Sequence, residues 1–493
     1  MLFRLILLAV SALALSLAFA PFPLRFLSPI ALVPLFWVID TSTPGEAFRY
    51  GLFFGSVFYL FHLWWLYALV VPVEPATRIL LDLGVTLLFV YLGLYVALFA
   101  LATKHLGLLW SPFIWAALEW IRSQSEAGFP WGLLGTSLTP YPPAIQGAAL
   151  IGVYGMSALV VWIALLVYKS IKRRGRAVFV PLLAVSLAVP VVYGLVRIRP
   201  SQPWFRVGLI QPNVSPLEKG RVSEREETWR AMLRLSRAAI SRKARVLVFP
   251  ETATLVDISR EVGFRDSLQL LANSGEVLII TGTPRYFPTG TMNATALIEP
   301  HEPAITQYYM KTHPAPFSER FPFVDKVPLL RRIMTRDMGD MIPGREYKVF
   351  DVGGHRFSTA ICFEGIFPDL IREFTRRGAE MIVVVTNDGW FGRTPGPYQH
   401  NELMIMRAVE NGVPLVRSAN NGISLVADPY GKVLAQTGLY VMTDLVQDVP
   451  RPLPGTFYRR YGDRFSPLCL IAVGILILLR IIPAIVGPKR QAA

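Results

Sequence analysis

The chain has 493 residues, of which 53% are hydrophobic and only 17% charged, and its formal net charge is +15. Soluble domains carry roughly 25% charged residues, so disorder, a disulfide scaffold and an ordinary soluble enzyme all fit poorly. The mean hydropathy of +0.43 points to apolar surface that lipid must solvate, and the Lys and Arg, scattered among apolar segments, form no aromatic-interleaved face of the kind that binds nucleic acid.

Apolar windows of about 17 to 25 residues can cross a bilayer as helices. Such windows lie near 4–20, 26–40, 51–72, 79–103, 107–122, 145–168, 177–196 and 465–487, which predicts about eight spans. Arg4 and the stretch Ala18-Phe19-Ala20 imitate a cleavable leader, but Pro21 at the would-be new terminus and the spans that follow at once favour a retained helix. The loop after the sixth window holds Lys169, Lys172, Arg173, Arg174 and Arg176. Basic residues near span ends collect on the cytoplasmic side. Arg49, Lys104, Lys489 and Arg490 fall on the same side, and the opposite loops hold only Arg25, Arg78 and Arg122. This asymmetry predicts cytoplasmic termini and an extracytoplasmic segment between the seventh and eighth spans. Three regions follow: a seven-helix bundle over 1–196, a domain over 197–464, and a final span with its tail over 465–493.

In the middle region short β-branched runs alternate with polar helical stretches. Phe205–Gln211, Val246–Pro250, Leu278–Thr283, Phe357–Cys362, Met381–Thr386 and Leu415–Ala427 read as strands. Ser223–Lys243, Arg260–Asn273, Pro368–Arg377 and Gln399–Asn411 read as helices. The alternation predicts one α/β domain, and the nearly continuous apolar strands predict a sheet covered on both faces.

The chain has two cysteines. Cys469 reads as a small apolar residue of the last span. Cys362 ends an apolar strand, at the sheet edge where α/β folds place ligands, and that position leaves a nucleophile and a buried structural thiol equally open. Glu251 follows the strand ending at Pro250; alone, it fits a helix N-terminal acid. Lys311 follows another short strand, and a lone Lys is ordinarily a surface residue. The six His show no metal-ligand spacing, so no metal and no dissociable cofactor are expected.

Taken together, Glu251, Lys311 and Cys362 resemble the catalytic set of the carbon-nitrogen hydrolase (nitrilase) superfamily in the same chain order. Their flanks agree: Pro250-Glu251, Lys311 with Pro316-Phe317 and Glu319, and Ile361-Cys362-Phe363-Glu364. With the spans around this domain, the chain resembles the apolipoprotein N-acyltransferase family. Asn387 to Gly392, Gly396 to His400, Met406 to Ala408, Arg417 to Gly422, Glu119 to Arg122 and Gly128 to Trp131 carry the likeness through most of the sequence. Two departures stand out. Phe363 replaces the Tyr common after the nucleophile, and Lys219-Gly220 lacks the Trp often found in that loop.

The resemblance implies a nitrilase-like αββα sandwich facing the periplasm of a bacterial inner membrane. It implies transfer of a phospholipid acyl chain to the α-amine of a diacylglyceryl-cysteine on an apolipoprotein, through a Cys362 thioester. Glu251 would serve as general base, while Lys311 and the backbone N–H of Phe363 hold the oxyanion. Glu319 and Glu364 would support them. Asn293, Trp390 and Phe391 would face substrate, Asn293 also reading as structural. No cofactor is implied, and the chain is expected to act as a monomer. The segment Phe317 to Leu330 suits a lipid-touching lid. Two rival readings stay open: an anchored amidase or nitrilase that passes its acyl group to water, and a transporter or scaffold with an inactive domain. The intact set and the eight windows weigh against both.

Overall fold

The computed structural model describes residues 1–71, 73–172, 175–215, 222–302, 305, 307–327 and 341–486, with backbone alone over 222–225 and 481–486. Lys219, Gly220, residues 328–330 of the segment after Lys311, and the basic residues Arg173, Arg174, Lys489 and Arg490 lie outside them.

The bundle comprises α1 (Leu2–Ser16), α2 (Leu27–Ile30), α3 (Val33–Thr41), α4 (Pro44–Leu63), α5 (Pro75–Leu106), α6 (Ser111–Arg122), α7 (Pro142–Ile145), α8 (Ala148–Ile171) and α9 (Arg176–Arg197). Entry into α4 is written locally. Pro44 occupies its first turn, and Thr43 and Glu46 form a reciprocal capping box that satisfies otherwise orphaned N–H groups. Four helices are long and apolar enough to cross a membrane, Pro44–Ala68, Pro75–Leu106, Ala148–Ile171 and Arg176–Arg197. The remaining predicted windows form shorter apolar helices. The fifth window is covered by the 12-residue α6, which at about 1.5 Å per residue reaches only about 18 Å. The first window is α1, with Leu8, Ala12 and Leu15 fully buried. The helix α9, by contrast, leaves almost its entire surface outside the protein.

The α/β region adds β1 (Pro203–Gln211), α10 (Val222–Ser241), β2 (Val246–Val248), α11 (Val262–Gly275), β3 (Leu278–Phe287), β4 (Gly290–Ile298) and β5 (Gln307–Met310). These are followed by β6 (Phe350–Val352), β7 (His355–Ile361), α12 (Pro368–Arg376), β8 (Met381–Thr386), α13 (Gly396–Asn411), β9 (Leu415–Ala419), β10 (Leu425–Ala427), β11 (Val433–Gln436) and β12 (Thr443–Pro450). Two further helices follow, the short α14 (Phe457–Tyr461) and the 22-residue α15 (Phe465–Val486).

The strands build two six-stranded sheets, ordered β12-β1-β2-β3-β4-β5 and β11-β10-β9-β8-β7-β6. Each has a parallel centre, β1-β2-β3 or β7-β8-β9, flanked by antiparallel edges. The sheets stack face to face, with Thr295 and Thr359 hydroxyls 2.6 Å apart between β4 and β7. The outer face of the first sheet packs on α10 and α11 through Met232, Leu247, Phe249, Leu268 and Ile279. The second sheet is covered by α12 and α13, giving the αββα order. All of α13 except Tyr398 and Glu402 is buried, because this helix is sandwiched between the second sheet and α8 of the bundle.

Three strand predictions change. The run Leu415–Ala427 is two antiparallel strands, β9 and β10, since Asn420-Asn421-Gly422 makes the turn between them. The predicted strand over Val246–Pro250 stops at Val248, before a proline that has no N–H to donate. That over Phe357–Cys362 stops at Ile361, because Cys362 leaves the ladder with φ +54°.

Candidate active site

Glu251 and Lys311 belong to the first sheet and Cys362 to the second. Glu251 stands three residues beyond β2, and the chain there lies tightly over β3. A Cβ at Gly282 would sit 2.7 Å from the Cα of Glu251, so only glycine permits the approach. Lys311 follows β5 directly, its N–H donating to the Asn293 carbonyl at 2.8 Å. Cys362 turns the end of β7 into a short 3-10 turn over Cys362–Ile366. Its left-handed backbone costs a non-glycine residue about 1–2 kcal/mol and takes the residue out of the ladder at the sheet edge.

The Lys311 ammonium is 2% exposed and donates to Glu319 at 2.9 Å. It lies 3.6 Å from Glu251 Oε1. Burial alone disfavours its charge, yet Glu319, then Glu251, outweigh that effect, and its pKa stays above the ordinary Lys value. Asn293, called substrate-facing or structural from sequence, is buried between the two acids. Its amide donates to Glu251 Oε1 at 2.7 Å and to Glu319 Oε1 at 3.3 Å. The Ala315 N–H holds the other Glu319 oxygen at 2.7 Å. Burial pushes the Cys362 thiol well above its usual pKa, Glu251 adds to the rise, and Lys311 opposes it.

Glu364 ties the two sheets together. Fully buried, its carboxylate accepts from Ile361 N at 2.8 Å, Tyr309 Oη at 2.7 Å, and Thr312 N at 2.6 Å. It also accepts from Thr312 Oγ1 and His313 N, both at 3.0 Å. One side chain thus holds the bend before Cys362 against the loop after Lys311. Phe363 packs on Phe367 with ring centroids 5.2 Å apart and faces Phe129 of the bundle at 6.4 Å. Trp390 is 37% exposed, and its carbonyl accepts from Val70 N. Phe391 packs edge-on against Trp65 at 4.9 Å. The segment predicted as a lid touches the bundle where described, with Phe323 N and Lys326 Nζ donating to Glu126 at 2.8 and 2.7 Å.

Sequence reasoning gave no role to Thr386, Asp388, Gln399, His400 and Arg417, although it noted the stretches that contain them. Thr386 at the end of β8 and Asp388 just after it meet His400 of α13 and Arg417 of β9, and Gln399 beside His400 faces the bundle. The only signal in the sequence was the density of polar residues in segments otherwise built as core. No group of three or more His, Cys, Asp or Glu suited to a metal occurs among the described residues.

A two-sheet αββα domain with Glu, Lys and Cys gathered between its sheets defines an enzyme of the carbon-nitrogen hydrolase class. The Carbon-nitrogen hydrolase family model matches residues 206–453, and the Apolipoprotein N-acyltransferase N-terminal domain matches 11–166. Apolipoprotein N-acyltransferase of Geobacter metallireducens is 34% identical over 93% of this chain and 92% of its own. Those of Rhodopseudomonas palustris and Bradyrhizobium diazoefficiens are 32% and 34% identical over 94% and 96% of this chain and 93% and 94% of theirs. Among solved structures, an amidase from Nesterenkonia sp. is similar at 22% identity and a TM-score of 0.40, covering 56% of this chain and 98% of that one. The chain belongs to the apolipoprotein N-acyltransferase family.

Proposed function

We propose that the protein transfers an acyl chain from a phospholipid to the free α-amine of the diacylglyceryl-cysteine that begins an apolipoprotein, completing lipoprotein maturation. The observation that carries this reading is the Lys311–Glu251 pair at 3.6 Å together with Glu364, which braces the bend before Cys362 against the loop after Lys311, in a chain whose two halves both match this family.

With its pKa pushed up, the resting nucleophile is a thiol, so deprotonation and attack are coupled. Glu251 takes the proton as Cys362 sulfur bonds to the ester carbonyl carbon of the phospholipid. The Lys311 ammonium and the Phe363 backbone N–H stabilise the resulting oxyanion, a kind of contact whose loss costs about 100- to 1000-fold in rate. As the tetrahedral intermediate collapses, the C–O bond breaks, Glu251 returns the proton to the lysophospholipid oxygen, and a thioester remains. The lipopeptide amine then attacks that thioester, loses a proton to Glu251, and expels the Cys362 thiolate, which takes the proton back. Two half-reactions on one nucleophile give ping-pong kinetics. Glu319 keeps Lys311 charged and aimed; Glu364 and Asn293 hold the set in register. Phe363, Phe129, Trp390 and Phe391 offer apolar surface to the acyl chains at the joint between bundle and domain, and no cofactor takes part.

The short helices complete an eight-span bundle, with the catalytic domain on the periplasmic side of the inner membrane and both termini in the cytoplasm. The protein works as a monomer. Purified full-length protein, given phospholipid and a diacylglyceryl lipopeptide, is expected to add one acyl chain to the lipopeptide α-amine by mass spectrometry. The Cys362→Ala variant is expected to add none. Acyl release to water with an unmodified peptide would instead establish a lipid hydrolase, and equal activity in wild type and variant would remove Cys362 from the mechanism.

A further inference from the structure

Behind Cys362 lies a second set of buried ionisable groups that takes no direct part in the reaction above. Asp388, His400 and Arg417 are all completely buried. Thr386 ends β8 beside the end of β7, where Ile361 faces Val385, and its hydroxyl donates to Asp388 Oδ1 at 3.0 Å. Arg417 Nη2 donates to Asp388 Oδ2 at 2.6 Å. His400 Nδ1 lies 3.0 Å from Oδ1. Burial works against the Asp388 charge, but Arg417 and His400 outweigh it, so the group is a carboxylate. Burial also keeps His400 neutral. Its Nδ1 lies 3.0 Å from the Asp388 carboxylate and 3.2 Å from Arg417 Nη2, while the buried Nε2 has no hydrogen-bond partner among the described residues; a proton on Nε2 would be left unpaired, so we assign it to Nδ1, as a donor to Asp388.

The bundle reaches this set directly. Trp131 stacks on the His400 ring at 5.4 Å with 20° between planes, and Phe391 meets it edge-on at 5.6 Å. The preceding residue, Gln399, accepts from the indole N–H of both Trp65 at 3.1 Å and Trp131 at 2.8 Å, while its own amide donates to the His62 carbonyl at 3.1 Å. A line of contacts therefore runs from Trp131 through His400 to Asp388 and on to Thr386, which ends the strand beside the one that Cys362 follows.

We propose that His400 is a positioning residue for Cys362 and that the bundle, by clamping His400 with Trp131, sets how readily the thiol ionises. The physical reason is Coulombic. A carboxylate facing a thiol opposes thiolate formation, and each donor to that carboxylate draws its charge away. His400 is the donor that touches the bundle. The other groups around the thiol and Asp388 are Glu251 and Lys311 from the first sheet, Arg417 from β9, and Tyr440 with Arg393 over its ring; the variants below leave all of them in place.

This inference rests on Cys362 being the nucleophile, and its test has a readout independent of acyl transfer. Alkylation of Cys362 by iodoacetamide would be followed by peptide mass spectrometry from about pH 6 to 10 on the full-length protein, alongside steady-state acyl transfer. His400→Ala is expected to shift the alkylation profile to higher pH by about half a unit or more and to lower kcat about tenfold with KM nearly unchanged. His400→Asn, which keeps a donor toward Asp388, is expected to restore the profile. Trp131→Leu is expected to shift it in the same direction as His400→Ala, with no further shift in the double variant. An unshifted profile in His400→Ala, failure of the Asn variant to restore it, or additive shifts would overturn the proposal. A wild-type protein that alkylates normally but transfers no acyl chain would overturn the functional reading and leave this one standing.

Discussion

Glu364 concentrates more of the site's geometry than any of the three reacting groups. Five donors converge on its carboxylate, from the bend before Cys362 and from the Lys311-Thr312-His313 loop. In Glu364→Gln one oxygen becomes an NH₂ group, which places donor against donor at Ile361 N or in the Thr312 loop. A buried donor left unpaired costs about 1–3 kcal/mol. The variant is expected to melt lower than wild type in a thermal scan, and to transfer acyl chains more slowly because nucleophile and ammonium no longer share a fixed brace; an unchanged melting temperature would refute this role. Glu251, Lys311 and Cys362 were read from the sequence through their resemblance, in chain order and flanks, to the carbon-nitrogen hydrolase set, since position alone left each of them a structural reading. Asp388, His400 and Arg417 were not, because their contacts join positions 12 and 29 residues apart with no periodicity to announce them.

Among the elements, α8 and α13 make the joint between bundle and domain. The helix α8 is broken at Gly152, whose φ of 66° and ψ of 179° lie where only glycine is at ease. The break leaves Val153 N to donate to Glu410 Oε1 of α13 at 2.8 Å, and Tyr458 of α14 fills the notch. A Cβ at 152 would stand 2.6 Å from the Tyr458 ring. Gly152→Ala therefore combines backbone strain of about 1–3 kcal/mol with a clash, and is expected to expose the α13–α14 region to limited proteolysis before the rest of the protein. Resistance equal to wild type would show that the joint can absorb a methyl group. Strands buried on both faces, such as β8, could be read almost to the residue. The edge strands β6, β11 and β12 escaped, as did β4 beside the edge strand β5, because Thr, Asn, Asp and Gln within them imitate loops, and the partner of β12, β1, lies far away in sequence.

At the scale of the whole molecule the bundle has two chemically distinct ends. One meets the catalytic domain through the Arg25–Glu402 pair at 2.6 Å, Gln146 donating to the Tyr430 carbonyl at 2.8 Å, and the tryptophans on Gln399. The other gathers Asp40 with Lys172 and with Tyr168 at 2.6 Å, and Lys104 on the Asp40 carbonyl at 3.0 Å. The arginines that the sequence placed with the domain are not solvated charges: Arg25 and Arg122 are buried, Arg122 donating to the Trp131 carbonyl at 2.7 Å. Under the proposed topology the end that holds Lys104 and Lys172 is the cytoplasmic one, where basic residues collect. In a background with Cys362 and Cys469 replaced, Lys432→Cys is expected to react with a membrane-impermeant maleimide in intact spheroplasts, and Arg176→Cys only after permeabilisation. The reverse pattern would invert the proposed topology.

The pairing of β1 with β12, Leu209 opposite Leu445, also sets an order of assembly. At a synthesis rate of about 5–20 residues per second, the edge of β1 waits on the order of tens of seconds for its neighbour. During that interval the nascent chain already carries Glu251 and Lys311 on a sheet with one side unzipped, and later Cys362 on the second sheet. The first sheet closes only when β12, just ahead of α15, arrives, so a ribosome that stalls before β12 releases a chain that has Glu251, Lys311 and Cys362 and an open sheet.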